Sequence, residues 1–267
     1  MRRVLNYLLP VAFALAMGLP ADAKTSKSSA SSAPQTDENG VPIVRAASVY
    51  VIDAKTGRVL YQKNAGERRA PASTQKLLTA LIIAEAGNLD QPVRVEKTDT
   101  EAEPVVLGFK PGQVYTRREL LQVMLVHSTN DVARCLARDN AGSVEAFAAK
   151  MNRKAAELGM FDSHFVNPNG LPASAQYSTA RDMSRIARAA YANEIIRAIV
   201  ATKSVAFRYA DGHVRTFENT NHVLKAYPYC NGMKTGYTEA AGKCLIASGV
   251  RNPSQWKWMN KTNQTMG

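Results

Sequence analysis

Apolar and polar positions mark out a chain with β-type ends and a helical middle. From Ser48 the order is Ser48-Val49-Tyr50-Val51-Ile52-Asp53, then Ala54-Lys55-Thr56-Gly57, then Arg58-Val59-Leu60-Tyr61-Gln62. Two β-rich runs around a glycine-bearing turn predict a hairpin. Pro71 then precedes Ser73, and Leu77, Leu78, Leu81, Ile82 and Ile83 recur at helical spacing as far as Gly87. This predicts a buried helix with a glycine stop and with Ser73 in its first turn. Helical periodicity returns over residues 117–126, 131–138, 144–158 and 179–192, between loops rich in Pro, Gly and Asn. After Val205 short β-like runs resume, and residues 229–237 and 243–250 predict a second hairpin around Glu239-Ala240-Ala241-Gly242. Strands at both ends enclosing helices predict an α+β fold whose terminal strands share one antiparallel sheet. No internal repeat is present.

Composition narrows the class. The 267 residues are 45% hydrophobic and 21% charged, which excludes a disordered or fibrous chain and permits one large core. Lys and Arg outnumber Asp and Glu by 34 to 22, a balance that favours anionic surroundings without choosing among nucleic acid, lipid headgroups and an acidic wall polymer. Arg2 and Arg3 precede an apolar stretch over 4–19, and Ala21-Asp22-Ala23 then offers a small-x-small cleavage pattern. Residues 1–23 are therefore expected to be a secretory signal, interrupted by Asn6 and Pro10 and too short for a membrane span. Residues 24–42, serine-rich and poor in large apolar side chains, are expected to form a flexible tether. Cys135, Cys230 and Cys244 are odd in number and lack framework spacing, so at most one bridge can form and three buried thiols are the favoured expectation.

Three short patterns carry candidate chemistry. Ser73-Thr74-Gln75-Lys76 places a hydroxyl and an amine one helical turn apart, so the amine can take the hydroxyl proton during nucleophilic attack. Such a base has to be neutral, and both burial and a helix N-terminus lower the proton affinity of a lysine. The pattern alone arises on the order of once by chance in a chain this long. Ser254-Gln255-Trp256-Lys257 repeats it in a polar tail with no core around it. Ser128-Thr129-Asn130 lies between two predicted helices, where the bland reading is a pair of helix caps. Lys234-Thr235-Gly236 falls on the first strand of the second hairpin, where the glycine admits a substrate backbone and the lysine and threonine can bind a carboxylate. A second copy, Lys55-Thr56-Gly57, sits in the first hairpin's turn, where glycine serves the turn itself.

Together the three patterns resemble those of the serine penicillin-recognising enzymes, most closely the low-molecular-mass penicillin-binding proteins that are D-alanyl-D-alanine carboxypeptidases. The resemblance covers residues 43–250. It includes Pro71-Ala72-Ser73-Thr74-Gln75-Lys76-Leu77, His127-Ser128-Thr129-Asn130-Asp131, Asn167-Pro168-Asn169-Gly170-Leu171 and Gly232-Met233-Lys234-Thr235-Gly236-Tyr237-Thr238. It implies a β-lactamase/transpeptidase-like catalytic domain, an antiparallel sheet with a helical subdomain, acting on peptidoglycan stem peptides that end in D-Ala-D-Ala. The implied roles are Ser73 as acylated nucleophile, Lys76 as general base, Ser128 as proton relay and Asn130 as a holder of substrate and of Lys76. Lys234, Thr235 and Gly236 would receive the terminal carboxylate, and the N–H groups of Ser73 and Tyr237 would form the oxyanion hole. β-Lactam antibiotics would acylate Ser73. No metal, cofactor or nucleic acid is implied.

Rival readings fare worse. His127, His164, His213 and His222 lack zinc-type spacing, and His127 and His164 read as loop or core-edge residues satisfied locally. Cys135 lies mid-helix with no histidine beside it in sequence. A class A β-lactamase adds a glutamate within E-x-x-L-N, and here Asn167-Pro168-Asn169-Gly170-Leu171 occupies that stretch. A D,D-endopeptidase on the same fold stays open. So does a truncated, non-catalytic wall-binding protein, with Arg117, Arg118, Arg134 and Arg138 as a possible polymer-facing set. In this fold the resemblance implies a further strand and a covering helix after the second hairpin. Residues 251–267 offer no run suited to a central strand, so a truncated or frame-shifted tail is expected, with no membrane anchor after signal cleavage.

Overall fold

The computed structural model describes residues 35–38 and 40–250. The expected signal, most of the expected tether and the atypical tail, including Ser254 and Lys257, lie outside the described residues. The chain divides into two compact units, 1–43 and 44–267. In the first, Thr36 and Pro42 form an antiparallel bridge that closes a turn at Asp37.

The second unit opens with the expected hairpin, β1 (Val49–Ile52) and β2 (Val59–Lys63), closed where Asp53 accepts from the Thr56 amide and hydroxyl. At its centre is α1 (Lys76–Glu85), in which every residue from Lys76 to Ala84 is buried. A helix that is apolar all round has no solvent face to offer, so the others wrap it. These are α2 (Arg117–His127), α3 (Asn130–Ala141), α4 (Val144–Glu157) and α5 (Ala180–Ala192). Each buries an amphipathic stripe, such as Met183, Ile186 and Ala190 of α5. Their ends carry the caps that stop fraying: a Thr116/Glu119 capping box on α2, Ser143 on α4, Thr179 on α5, and left-handed Gly142 after α3.

Several short elements escape sequence periodicity. β3 (Pro92–Arg94) and β4 (Val114–Thr116) pair with three residues each, and α6 (Glu194–Val200) follows α5 after one capping residue, Asn193. β5 (Ser204–Arg208) pairs with β6 (Val214–Glu218), and α7 (His222–Ala226) leads into the second hairpin. That hairpin, β7 (Cys230–Thr238) and β8 (Gly242–Gly249), matches the expected boundaries closely.

The architecture is α+β, as the pattern predicts. Among the described residues, however, β1–β2 and β7–β8 are two separate two-stranded sheets. Both pack on α5, but no ladder joins them, so the expected shared sheet is not formed by these four strands. A pattern of terminal strands specifies which segments are extended. It does not specify which edges pair. The cysteines also differ from expectation: all three are free thiols, but only Cys135 is buried, whereas Cys230 and Cys244 are partly exposed. Burial pushes the Cys135 thiol far up, which leaves it inert.

Candidate active site

Ser73 lies in a short 3-10 turn, Ala72–Gln75, that runs straight into α1. In 3-10 geometry residues i and i+3 eclipse, so the Ser73 and Lys76 side chains leave the same side of the turn. The preceding Ala72 is held at φ +49, an unfavourable conformation for a residue with a Cβ and a local store of strain beside the hydroxyl.

Lys76 is fully buried, and its Nζ lies 2.9 Å from Ser73 Oγ, 2.7 Å from Asn130 Oδ1 and 2.8 Å from the Asn169 carbonyl. Burial holds its pKa well below the ordinary lysine value; the charge of Lys234 lowers it further and that of Asp131 opposes. A neutral amine has two N–H donors and one lone pair. With the two donors given to the Asn130 and Asn169 oxygens, the lone pair faces Ser73 and can accept the hydroxyl proton. The arrangement is thus able to activate a serine nucleophile.

Ser128 ends α2 in the left-handed conformation, φ +73, which turns its side chain out of the helix and into the cleft. Its Oγ accepts from Lys234 Nζ at 2.9 Å, and that nitrogen also donates to the Thr235 carbonyl at 2.8 Å. Burial pushes the Lys234 pKa down to about 7. The capping account of Ser128-Thr129-Asn130 is incomplete. Thr129 is the N-cap of α3 but makes no side-chain cap bond, and Asn130 stands inside the helix with its amide spent on Lys76. Thr235 Oγ1 is 2.7 Å from Thr220 Oγ1.

Two glycines set the spacing of the walls. A Cβ on Gly236 would stand 2.8 Å from the Ser73 nitrogen, so β7 runs alongside the Ser73 amide only because this position has no side chain. A Cβ on Gly170 would come within 2.1 Å of the Ala72 carbonyl oxygen. That glycine belongs to Asn167-Pro168-Asn169-Gly170-Leu171, a loop whose role the sequence does not disclose. Three successive carbonyls of the loop, at 167, 168 and 169, accept from Gln75 Nε2, Thr79 Oγ1 and Lys76 Nζ. Asp131, also unassigned by sequence, accepts from the Leu107, Gly108 and Val132 amides and so anchors the 105–108 loop, whose Val105 carbonyl takes the Asn130 N–H.

The rival residues are used elsewhere. His164 Nδ1 is 2.8 Å from the Ala175 carbonyl, as a locally satisfied histidine should be, and His127 rests against Phe217 with a backbone hydrogen bond at Glu218, leaving its buried Nδ1 unpartnered. Among the described residues no group of His, Cys, Asp and Glu is arranged to hold a metal ion. Arg117, Arg118 and Arg138 are tied to Asp139, Asp90 and the Asp99/Glu96 pair, and Arg134 to the Thr98 carbonyl. Each therefore has a partner within the helical unit. Lys55-Thr56-Gly57 is a turn, with Gly57 at φ +79.

A half-buried serine in the turn that leads into a central helix, a buried lysine at that helix's start, and flanking Ser-x-Asn and Lys-Thr-Gly define the transpeptidase class of fold. The crystal structure of the Streptomyces K15 DD-transpeptidase superposes on this chain with a TM-score of 0.75 at 29% identity, covering 84% of this chain and 97% of that one. The chain belongs to the D-alanyl-D-alanine carboxypeptidase family, which it matches over residues 34–257. A D-alanyl-D-alanine carboxypeptidase of Bacillus subtilis is 38% identical over 208 residues, 76% of this chain. The match spans only 54% of that relative's length. One from Mycobacterium tuberculosis is 38% identical over 213 residues, covering 79% of this chain and 72% of the relative.

Proposed function

We propose that the protein is an exported serine D-Ala-D-Ala carboxypeptidase that removes the terminal D-alanine from peptidoglycan stem peptides through an acyl-enzyme. The observation that carries this reading is the 2.9 Å contact between Lys76 Nζ and Ser73 Oγ, with both other directions of the amine occupied by acceptors.

In this reading the substrate's terminal carboxylate docks on Lys234 and Thr235. Its negative charge favours the protonated form of Lys234. Ser73 Oγ attacks the penultimate carbonyl carbon, and its proton passes to Lys76 Nζ as the Oγ–C bond forms. The oxyanion is held by the N–H groups of Ser73 and Tyr237, each such donor contributing ~3 kcal/mol in a comparable case. When the C–N bond breaks, the proton held by Lys76 passes through the Ser128 hydroxyl to the leaving nitrogen, which returns Lys76 to its neutral form. Water then attacks the ester, Lys76 takes the water's proton, and it gives that proton to Ser73 Oγ as the C–Oγ bond breaks. A β-lactam follows the first half of this route and stays as an ester on Ser73. Export rests on Arg2 and Arg3, the apolar run after them and Ala21-Asp22-Ala23. Residues 43–250 would then be the catalytic domain. No helix among the described residues is long and apolar enough to cross a membrane.

The test is covalent labelling of the full chain by a fluorescent penicillin beside Ser73→Ala, with D-alanine release from a synthetic pentapeptide ending in D-Ala-D-Ala. Labelling and release confined to the parent are expected. Equal labelling of the variant overturns the nucleophile, and release only from cross-linked dimers shifts the reading to an endopeptidase.

A further inference from the structure

Basic side chains outnumber acidic ones by 34 to 22, and one group of arginines gathers at a cavity away from the serine centre. Between α5, the start of α6, the end of α4 and the β1–β2 turn lies a cavity of about 570 Å³ lined by Arg185, Arg188, Arg197 and Tyr191. Arg188 Nε donates to the Ala54 carbonyl at 3.1 Å, and Arg197 Nη1 donates to the Tyr191 carbonyl at 3.1 Å. Carbonyls fix a guanidinium's orientation without cancelling its charge. Among the described residues Arg188 makes no ion pair. Arg197 has only Glu194, 3.7 Å away and almost wholly in water, where its field is screened. Arg185 faces Asp182 at 3.3 Å, but that carboxylate also accepts from the Asp162 amide and the Ser163 hydroxyl. Of the three guanidiniums, Arg188 has no carboxylate partner, Arg197 has a screened one and Arg185 has Asp182, so the cluster keeps a net positive charge.

The neighbouring groups are rigid too. The Tyr191 ring lies under Arg197 at 5.7 Å, and its hydroxyl accepts from the Asn231 amide at 2.6 Å. The turn at Gly57 meets Arg188 directly, since a Cβ there would stand 3.1 Å from Nη1. None of Ser73, Lys76, Ser128, Asn130 or Lys234 lines this cavity. From these features we infer a second site, separate from the serine centre, that binds a phosphate ester. A phosphate monoester brings up to two negative charges and three acceptor oxygens, which matches three forked donors better than the single charge and two oxygens of a carboxylate.

The test is calorimetric titration of the full chain with sn-glycerol 3-phosphate in a buffer free of phosphate and sulfate. Saturable binding is expected, weakened about tenfold by either Arg188→Gln or Arg197→Gln, as loss of one charge-assisted contact implies. Arg208→Gln, outside the cavity, should leave affinity unchanged. Penicillin labelling and thermal unfolding verify that each variant is folded. No saturable binding to a folded parent, survival of binding in both cavity variants, or equal loss in Arg208→Gln overturns the site. Vesicles of phosphatidylglycerol separate two sources of the ester. Co-sedimentation that Arg188→Gln abolishes assigns a lipid headgroup, and binding of the free ester without co-sedimentation assigns a soluble or polymer-borne one.

Discussion

Lys76 and Lys234 approach one cleft from different walls, α1 and β7, and each ends 2.9 Å from a serine hydroxyl, Ser73 for the first and Ser128 for the second. Both are fully buried, and each is too far down in pKa to act as an ordinary surface cation. Their charges also oppose one another, which favours a state with one proton shared between two amines.

This pairing sets a pH profile. Lys76 has to be neutral to accept a proton, and Lys234 has to be charged to hold a carboxylate. Acylation efficiency by a penicillin should therefore fall below the lowered pKa of Lys76 and fall again above about 7, where free Lys234 loses its proton. Acylation kinetics between pH 5 and 10 read this directly, and a profile flat from 6 to 9 would refute it.

Lys76→Arg tests the base itself. A guanidinium keeps its proton, so penicillin acylation should drop by about 10² to 10⁴, the usual contribution of a positioned base, while the fold persists. Asn130→Ala removes the 2.7 Å acceptor and leaves a buried N–H unpaired, so a smaller fall, about tenfold to a hundredfold, is expected. Stopped-flow acylation ranks the two.

Lys234→Met exchanges function for stability. Unfolded lysines keep their proton up to ~10.4, whereas folded Lys234 gives it up near 7. Between those values the unfolded state binds more protons, so stability rises with pH; below them the folded state carries the full cost of a buried ammonium. The variant should be more stable than the parent by a few kcal/mol at pH 6, with the gain shrinking toward pH 10. Urea unfolding at pH 6 and 9 decides the matter, and a destabilised variant at pH 6 would contradict the assignment.

Gly170→Ala should be severe although it removes no functional group. Its Cβ would collide with the Ala72 carbonyl, and φ +87 is unfavourable for alanine, so a loss of at least ~3 kcal/mol and abolished labelling are expected. As a contrast, Thr116→Ala deletes only the α2 cap, distant from the cleft. It should lower stability by ~1 kcal/mol, a shift of about 2 to 4 °C in Tm, with labelling unchanged.

Sequence discloses what is local. The Ser73–Lys76 spacing, the hairpin at β7–β8 and the amphipathic helices are each encoded within one short continuous segment, and all are found where the pattern puts them. It does not disclose partners that meet across long loops. Asn169 supplies Lys76 with a carbonyl, which no side-chain pattern reports, and Asp131 works by holding the 105–108 loop. The arginines show the same limit from the other side: Arg117 and Arg138 look free in sequence because Asp139 and Asp99 become their partners only in the folded unit.

Three successive carbonyls of the 167–169 loop clamp the start of α1. Because these acceptors are main-chain atoms, exchanging the side chains of Asn167 or Asn169 leaves the oxygens themselves in the sequence. Point mutation therefore has little direct purchase on the proton affinity of Lys76 through this loop. Through this loop that affinity answers only to the path of the backbone, which Gly170 keeps pressed against the Ala72 carbonyl.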